Sequence, residues 1–132
     1  MNILSLDIGM KKTGICLYLE NILLPQKSVE TIALDISLKN MLSENKYDLL
    51  IIGIPLNKDR EETQMSAKIR EIAGNLKSIS DVKVEFFNEY LTTKEAERIA
   101  KESLSRDRRK EAVDSLSAMV ILEEYLRNEE KK

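Results

Sequence analysis

The chain has 132 residues, 42% hydrophobic and 33% charged, with 21 basic against 23 acidic side chains for a net charge of −2. That size and balance fit one globular domain over residues 1–132 with its own core, and exclude a disordered charged tail. There is no histidine and Cys16 is the lone cysteine, which removes Ser-His-Asp and Cys-His catalysis, nearly all protein zinc sites and any internal disulfide.

The chain opens directly into Asn2-Ile3-Leu4-Ser5-Leu6-Asp7, without a basic segment followed by a hydrophobic signal stretch, and its apolar runs are short. A soluble cytoplasmic protein with no membrane partner is the expectation. Ile3 to Leu6 form an apolar run ending in Asp7-Ile8-Gly9, and a β-rich run from Thr13 to Leu19 follows the turn-like Gly9-Met10-Lys11-Lys12, which predicts a hairpin. A third extended piece is expected around Ser28 to Ile32, beyond Pro25, and then a brief helix through Ile36, Leu38, Met41 and Leu42.

Asp48 to Gly53 is almost continuously apolar, as suits a strand covered on both faces. Met65, Ile69, Ile72, Leu76 and Ile79 step by four, three, four and three, the signature of a helix with one buried stripe. Val82 to Phe87 alternates and is rich in β-formers, so a strand-helix-strand unit from 48 to 88 implies parallel strands with a right-handed crossover. Thr92-Thr93-Lys94-Glu95 fits a capping box that opens another helix. The last helix, from about Lys110 to Arg127, is apolar around much of its circumference and must pack heavily on the sheet. The resulting order, β-β-β-α-β-α-β-α-α, is that of a mixed α/β sheet.

Three carboxylates stand out by position. Asp7 lies at the carboxyl end of the first strand, where α/β folds open a ligand crevice. Glu89 follows the strand ending at Phe87, so parallel strands deliver both acids to one sheet edge. Asp114 sits early in the last helix among Ala112, Val113, Leu116 and Ala118, where a carboxylate requires a partner or water. Taken singly, Asp7 could satisfy turn amides, Glu89 could face solvent, and Asp114 could favour the positive end of its helix. Together they would repel one another unless a divalent cation neutralised them, and all-oxygen ligands favour Mg2+ or Mn2+. That is phosphodiester-hydrolysis chemistry.

From Arg98 to Lys110 six basic residues face only Glu102 and Asp107, which makes either a phosphate-contacting patch or a solvated loop. Lys11, Lys12, Arg106, Arg108, Arg109 and Lys110 are either candidates for salt-sensitive contact with a nucleic-acid backbone or simply solvated surface charges. Gly53-Ile54-Pro55-Leu56 reads either as a rigid turn at a strand end or as punctuation before a helix. The aromatics are too dispersed for a stacking platform, with Tyr90 beside Glu89 the one placed to stack a base.

Four segments now carry a resemblance: Leu6-Asp7-Ile8-Gly9-Met10-Lys11-Lys12-Thr13-Gly14, Gly53-Ile54-Pro55-Leu56, Asn88-Glu89-Tyr90-Leu91-Thr92-Thr93 and Val113-Asp114-Ser115-Leu116-Ser117-Ala118. In this order and spacing they resemble the YqgF family of ribosomal RNA precursor nucleases, also called Holliday junction resolvase-like proteins, over essentially the whole chain. The resemblance implies an RNase H-like α/β fold with a mixed five-stranded sheet, order 3-2-1-4-5 with strand 2 antiparallel, flanked by helices. It implies Asp7, Glu89 and Asp114 as catalytic residues and ligands of Mg2+ or Mn2+. The implied activity is a metal-dependent endonuclease on structured RNA, trimming the 5′ end of pre-16S rRNA, with branched DNA as the alternative substrate. Where the family usually shows Asp-Glu-Arg, this chain has Asn88-Glu89-Tyr90. Met10 replaces a usual threonine, and a common glycine is replaced within Lys58-Asp59-Arg60-Glu61. These departures touch substrate handling and leave all three carboxylates in place.

Two other function classes compete. Asp-x-Gly followed by Gly14 also resembles the first phosphate loop of actin-like ATPases and sugar kinases, but a second lobe and a further glycine-rich loop are wanting. A non-catalytic nucleic-acid-binding module acting with ribosome or transcription machinery is compatible with the same fold. A monomer suffices to trim one RNA end, whereas symmetric resolution of a four-way junction favours a homodimer.

Overall fold

The computed structural model describes residues 1–56, 59, 61–89 and 115–130. Alternation within the first strand, β1 (Ile3–Ile8), separates two apolar layers: Leu4, Leu6 and Ile8 pack into one and Ile3 into the other. The next strand, β2 (Lys12–Leu19), runs antiparallel to it, from Ile3 opposite Tyr18 to Ile8 opposite Thr13. Two further strands, β3 (Ile22–Pro25) and β4 (Val29–Glu30), both pair antiparallel with β2. After a 3-10 turn at Thr31–Ala33 come α1 (Leu34–Glu44), β5 (Leu49–Ile54), α2 (Gln64–Leu76), β6 (Lys83–Asn88) and α3 (Leu116–Glu130). β5 is parallel to both β1 and β6.

The sheet runs β3-β2-β1-β5-β6, with β4 attached to β2 as a sixth strand. Its five-strand path has the expected order with the second strand antiparallel. The place of the third strand differs from expectation. Only Val29 and Glu30 of the Ser28–Ile32 stretch pair, whereas the edge position belongs to Ile22–Pro25. Glu20 and Asn21 take positive φ, 50° and 65°, and join paired Leu19 and Ile22. Such a two-residue turn matches the twist of its strands, but Glu-Asn lacks the glycine that usually announces it. Pro25 closes an edge strand, where a missing N–H is tolerated.

All six residues of β5 are buried, because helices cover both faces of the sheet. Leu34 and Leu38 of α1 with Ile69, Ala73 and Leu76 of α2 cover the face carrying Leu4, Leu6, Leu50 and Ile52. Thr63 opens α2 with a capping box: its Oγ1 accepts from Ser66 N at 3.1 Å, and Ser66 Oγ accepts from Thr63 N at 2.6 Å. The capping box expected at Thr92–Glu95 and the stretch before residue 115 lie outside the described residues.

Ala118, Met119, Ile121 and Leu122 of α3 cover the opposite face with Ile3, Cys16, Leu49, Ile51 and Phe87. Burial there pushes the Cys16 thiol up to about 12, so it packs as an inert apolar group. Two serines fasten α3 to the sheet. Ser5 Oγ donates to Ala118 O at 2.9 Å; Ser115 Oγ accepts from Ile15 N at 2.9 Å and donates to Gln26 O at 2.5 Å. Among the described residues no helix is long and apolar enough to cross a membrane.

Candidate active site

Asp7 is the penultimate residue of β1 and, by the two-residue period, faces the α3 side with Ile3 and Ser5. The turn beyond it is rigidly built. Gly9 N donates to Lys12 O at 3.0 Å, and a Cβ on Gly9 would lie 2.7 Å from that same oxygen, so no side chain fits there. Thr31 clamps the turn from outside: its Oγ1 donates to Gly9 O and its N to Lys11 O, both at 2.8 Å. With that hydroxyl proton committed, Thr13 Oγ1 donates to Thr31 Oγ1 at 2.9 Å.

Glu89 directly follows β6, two residues beyond Phe87, which packs on the α3 side. Gly53 of β5 pairs with Phe87 and is next in register after Ile52, the partner of Leu6. It therefore lies between the strands that carry the two acids. A Cβ on Gly53 would stand 3.0 Å from both Cγ and Oε1 of Glu89 and would collide with Ile121 Cδ1. The absent side chain leaves the space into which Glu89 folds back.

There the Glu89 carboxyl hydrogen-bonds that of Asp7. Burial first, then the hydrogen bond and negative charge of Asp7, push Glu89 up to about 8. Beside the negative charge of Asp7, the half-buried Glu89 carboxyl keeps its proton at neutral pH. A divalent cation can replace that proton, and the pair supplies hard oxygen ligands of the type Mg2+ and Mn2+ require.

Lys12 is exposed and shares the face of Asp7, since Cys16 and Tyr18 of the same strand pack toward α3 and Gly14 stands opposite Asp7. Lys11 is exposed within the turn. Asp7, Glu89, Lys11 and Lys12 are thus gathered at one edge of the sheet. Asp114, Arg106, Arg108, Arg109, Lys110 and Tyr90 lie outside the described residues, among which no cluster of three or more His, Cys, Asp or Glu forms a metal site. Ser115, the residue after Asp114, is buried and bonded to Ile15, whose strand partner is Leu6. Sequence reasoning passed over Ser115 and the packing role of Gly53, although a glycine inside a β-rich run signals close approach.

A cavity of about 620 Å³ lies at the other end of the sheet, lined by Tyr18, Ile22 and Leu126 with Glu123, Glu129 and Glu130. Arg127 also lines it, and Tyr18, paired with Ile3 at the start of β1, puts it at the end of the sheet opposite Asp7.

The chain matches the family described as "RuvX: Holliday junction resolvase" over residues 1–128. A protein of Syntrophomonas wolfei subsp. wolfei is 32% identical, with 96% of this chain and 94% of the relative covered. One of Endomicrobium trichonymphae is 30% identical, with 94% of each covered; both carry the name "Putative pre-16S rRNA nuclease". Among solved structures, Thermus thermophilus RuvC superposes with a TM-score of 0.62 at 12% identity, covering 96% of each chain. A Fowlpox virus resolvase in complex with Holliday junction DNA gives 0.59 at 15% identity, covering 96% of this chain and 99% of the other. At such identities the likeness shows a shared RNase H-like fold. The sequence match along nearly the whole length carries further: this chain belongs to the RuvX family of resolvase-type nucleases.

Proposed function

We propose that this protein is a divalent-metal-dependent endonuclease that trims the 5′ end of pre-16S rRNA, using Asp7, Glu89 and Asp114 as catalytic residues and metal ligands. The observation that carries this reading is the Asp7–Glu89 carboxyl pair, held over the gap at Gly53 at the carboxyl ends of parallel strands, where α/β sheets bind their ligands. The names of the relatives support the RNA substrate. Match and fold both support residues 1–132 acting as one RNase H-like domain.

Asp7 and Glu89, with Asp114 as third ligand, would hold Mg2+ or Mn2+. When bound, the cation supplies Lewis acidity at the scissile phosphate. Glu89 holds its proton up to about pH 8 and would have to release it in order to serve as a ligand. Lys12, on the Asp7 face, takes a phosphate oxygen and holds the backbone in register, and the sequence offers Arg106, Arg108, Arg109 and Lys110 as further phosphate contacts. In the hydrolysis, water oxygen forms the new bond to phosphorus and gives a proton to solvent, the bridging P–O bond breaks, and the leaving oxygen takes up a proton from solvent. The cytoplasm, where the precursor is made, is the assigned compartment, in keeping with a buried, unpaired Cys16.

Branched DNA is the second substrate reading, favoured by the family description. It requires a homodimer to cut two strands symmetrically, whereas RNA trimming needs one subunit. The test is cleavage of a labelled pre-16S rRNA fragment and a four-way DNA junction with Mg2+, Mn2+ or chelator, alongside the oligomeric state. Metal-dependent cutting of the RNA by a monomer is expected. Junction cutting by a dimer transfers the assignment to DNA, and salt-sensitive binding without cutting leaves a non-catalytic module.

A further inference from the structure

The turn that carries Lys11 and Lys12 also carries exposed apolar surface. Met10 is 70% exposed at its centre and Ile32, just beyond β4, is 90% exposed. These two, with Lys11, Lys12 and Glu30, line an open hollow of about 390 Å³. What sets these two apart from exposed Ile36 is that they line one hollow together with two lysines. Here they stand on a preorganised base, because Gly9, Lys11, Thr13 and Thr31 are locked by the hydrogen bonds described above. The backbone is ordered in advance, and the ordering cost of binding falls on the side chains of Met10, Lys11 and Lys12.

We infer that this hollow is a nucleotide subsite in which Met10 and Ile32 receive the face of an unpaired base while Lys11 and Lys12 hold its flanking phosphates. Charge and shape select the occupant. Two ammonium groups beside an apolar platform match a nucleotide, which joins an apolar ring face to an anionic backbone. A fully paired helix hides its base faces by stacking, so only an unpaired or bulged nucleotide reaches Met10 and Ile32. Aliphatic side chains are used in this way, as wedges against exposed base faces, in other nucleic-acid complexes. Glu30, the strand partner of Lys12 on β4, leaves Lys11 the less screened of the two cations and accepts hydrogen bonds from amino groups on the base edge.

Asp7 is three residues before Met10, so the subsite reads the nucleic acid next to the proposed cleavage position. The substrate class it selects is structured RNA with an unpaired nucleotide beside the scissile bond. This inference rests on the nuclease reading for its biological meaning, but the binding itself does not require cleavage.

The experiment is fluorescence titration in chelator of two RNA duplexes, one fully paired and one carrying a single unpaired 2-aminopurine. Tighter binding of the second duplex is expected, with a change in 2-aminopurine emission as the base is seated. Replacing both platform residues, Met10→Ser with Ile32→Ser, is expected to reduce the ratio of the two affinities by about tenfold, the equivalent of one lost apolar contact. Both positions are exposed, so folding is not at stake, and Ile36→Ser, 64% exposed on α1, serves as the apolar-surface control. Equal binding of the two duplexes, unchanged emission, a ratio that survives the double substitution, or binding of neither RNA would overturn the subsite. A protein that discriminates in chelator but never cuts would sink the nuclease reading alone, and one that cuts without discriminating would sink the subsite alone.

Discussion

Glu89 reaches Asp7 across the one position of β5 that has no side chain: a Cβ on Gly53 would approach Glu89 Cγ and Oε1 to 3.0 Å each. The glycine is a spatial requirement of the carboxyl pair rather than of backbone conformation. Gly53→Ala is therefore expected to push Glu89 away from Asp7 and to crowd Ile121. Overpacking of this kind costs about 1–3 kcal/mol. Cleavage should fall by more than the stability loss explains, which parallel urea unfolding and cleavage assays would reveal.

Replacing either acid by its amide tests the chemistry without a change of shape. Asp7→Asn and Glu89→Gln should each lower cleavage by at least about 100-fold while leaving the far-ultraviolet circular dichroism of the wild type. Activity retained in either variant would remove that residue from the catalytic set.

The pH dependence has a definite sign. Glu89 rises from 4.5 to about 8 in the folded chain, through burial and Asp7. A carboxyl whose folded pKa lies above its unfolded value binds its proton more tightly in the native state. Its contribution is fully present below about pH 4.5 and is lost as pH rises toward 8. In chelator, the thermal midpoint of the wild type should fall across that window more steeply than that of Glu89→Gln. Mg2+ should restore the wild type at pH 8 and have little effect on the variant.

Ser115 ties the start of α3 to β2 and to the chain beyond β3 through two short hydrogen bonds. Ser115→Ala leaves Ile15 N–H and Gln26 C=O without that partner, at a cost of about 1–3 kcal/mol. Urea unfolding should show this loss, whereas Ser43→Ala, at an exposed helix position bonded only to Asn40 O, should change little. If Asp114 acts with Asp7, cleavage by Ser115→Ala should also fall at temperatures where the variant remains folded.

Lys11 and Lys12 should separate by role. Each substitution by alanine is expected to reduce the salt dependence of RNA binding by about one phosphate contact. Lys12→Ala should cost more in cleavage, since only Lys12 is fixed by strand register on the Asp7 face. Equal losses would assign both lysines to general backbone attraction.

Much of this was legible in the sequence because the decisive signals were local. The apolar run of β5 and the four-three spacing of α2 both announce burial directly, and parallel β5 and β6 then place Glu89 at the Asp7 edge. The third strand was misplaced because Glu20-Asn21 makes its tight turn with positive φ and no glycine. Gly53 reads equally as a rigid strand-end turn or as punctuation before a helix, because its packing role depends on a side chain 36 positions later in the chain. Ser115 was silent for the same reason: its partners, Ile15 and Gln26, are brought to it only by the folded sheet.

The central claim is that a divalent cation binds at Asp7, Glu89 and Asp114, and the most direct test replaces Mg2+ with Fe2+ and ascorbate so that hydroxyl radicals cut the backbone nearest the metal. Scission adjacent to residues 7, 89 and 114, suppressed by excess Mg2+ and lost in Asp7→Asn, is the predicted result. Scission confined to other positions, or a pattern indifferent to Mg2+ and to that substitution, would contradict it.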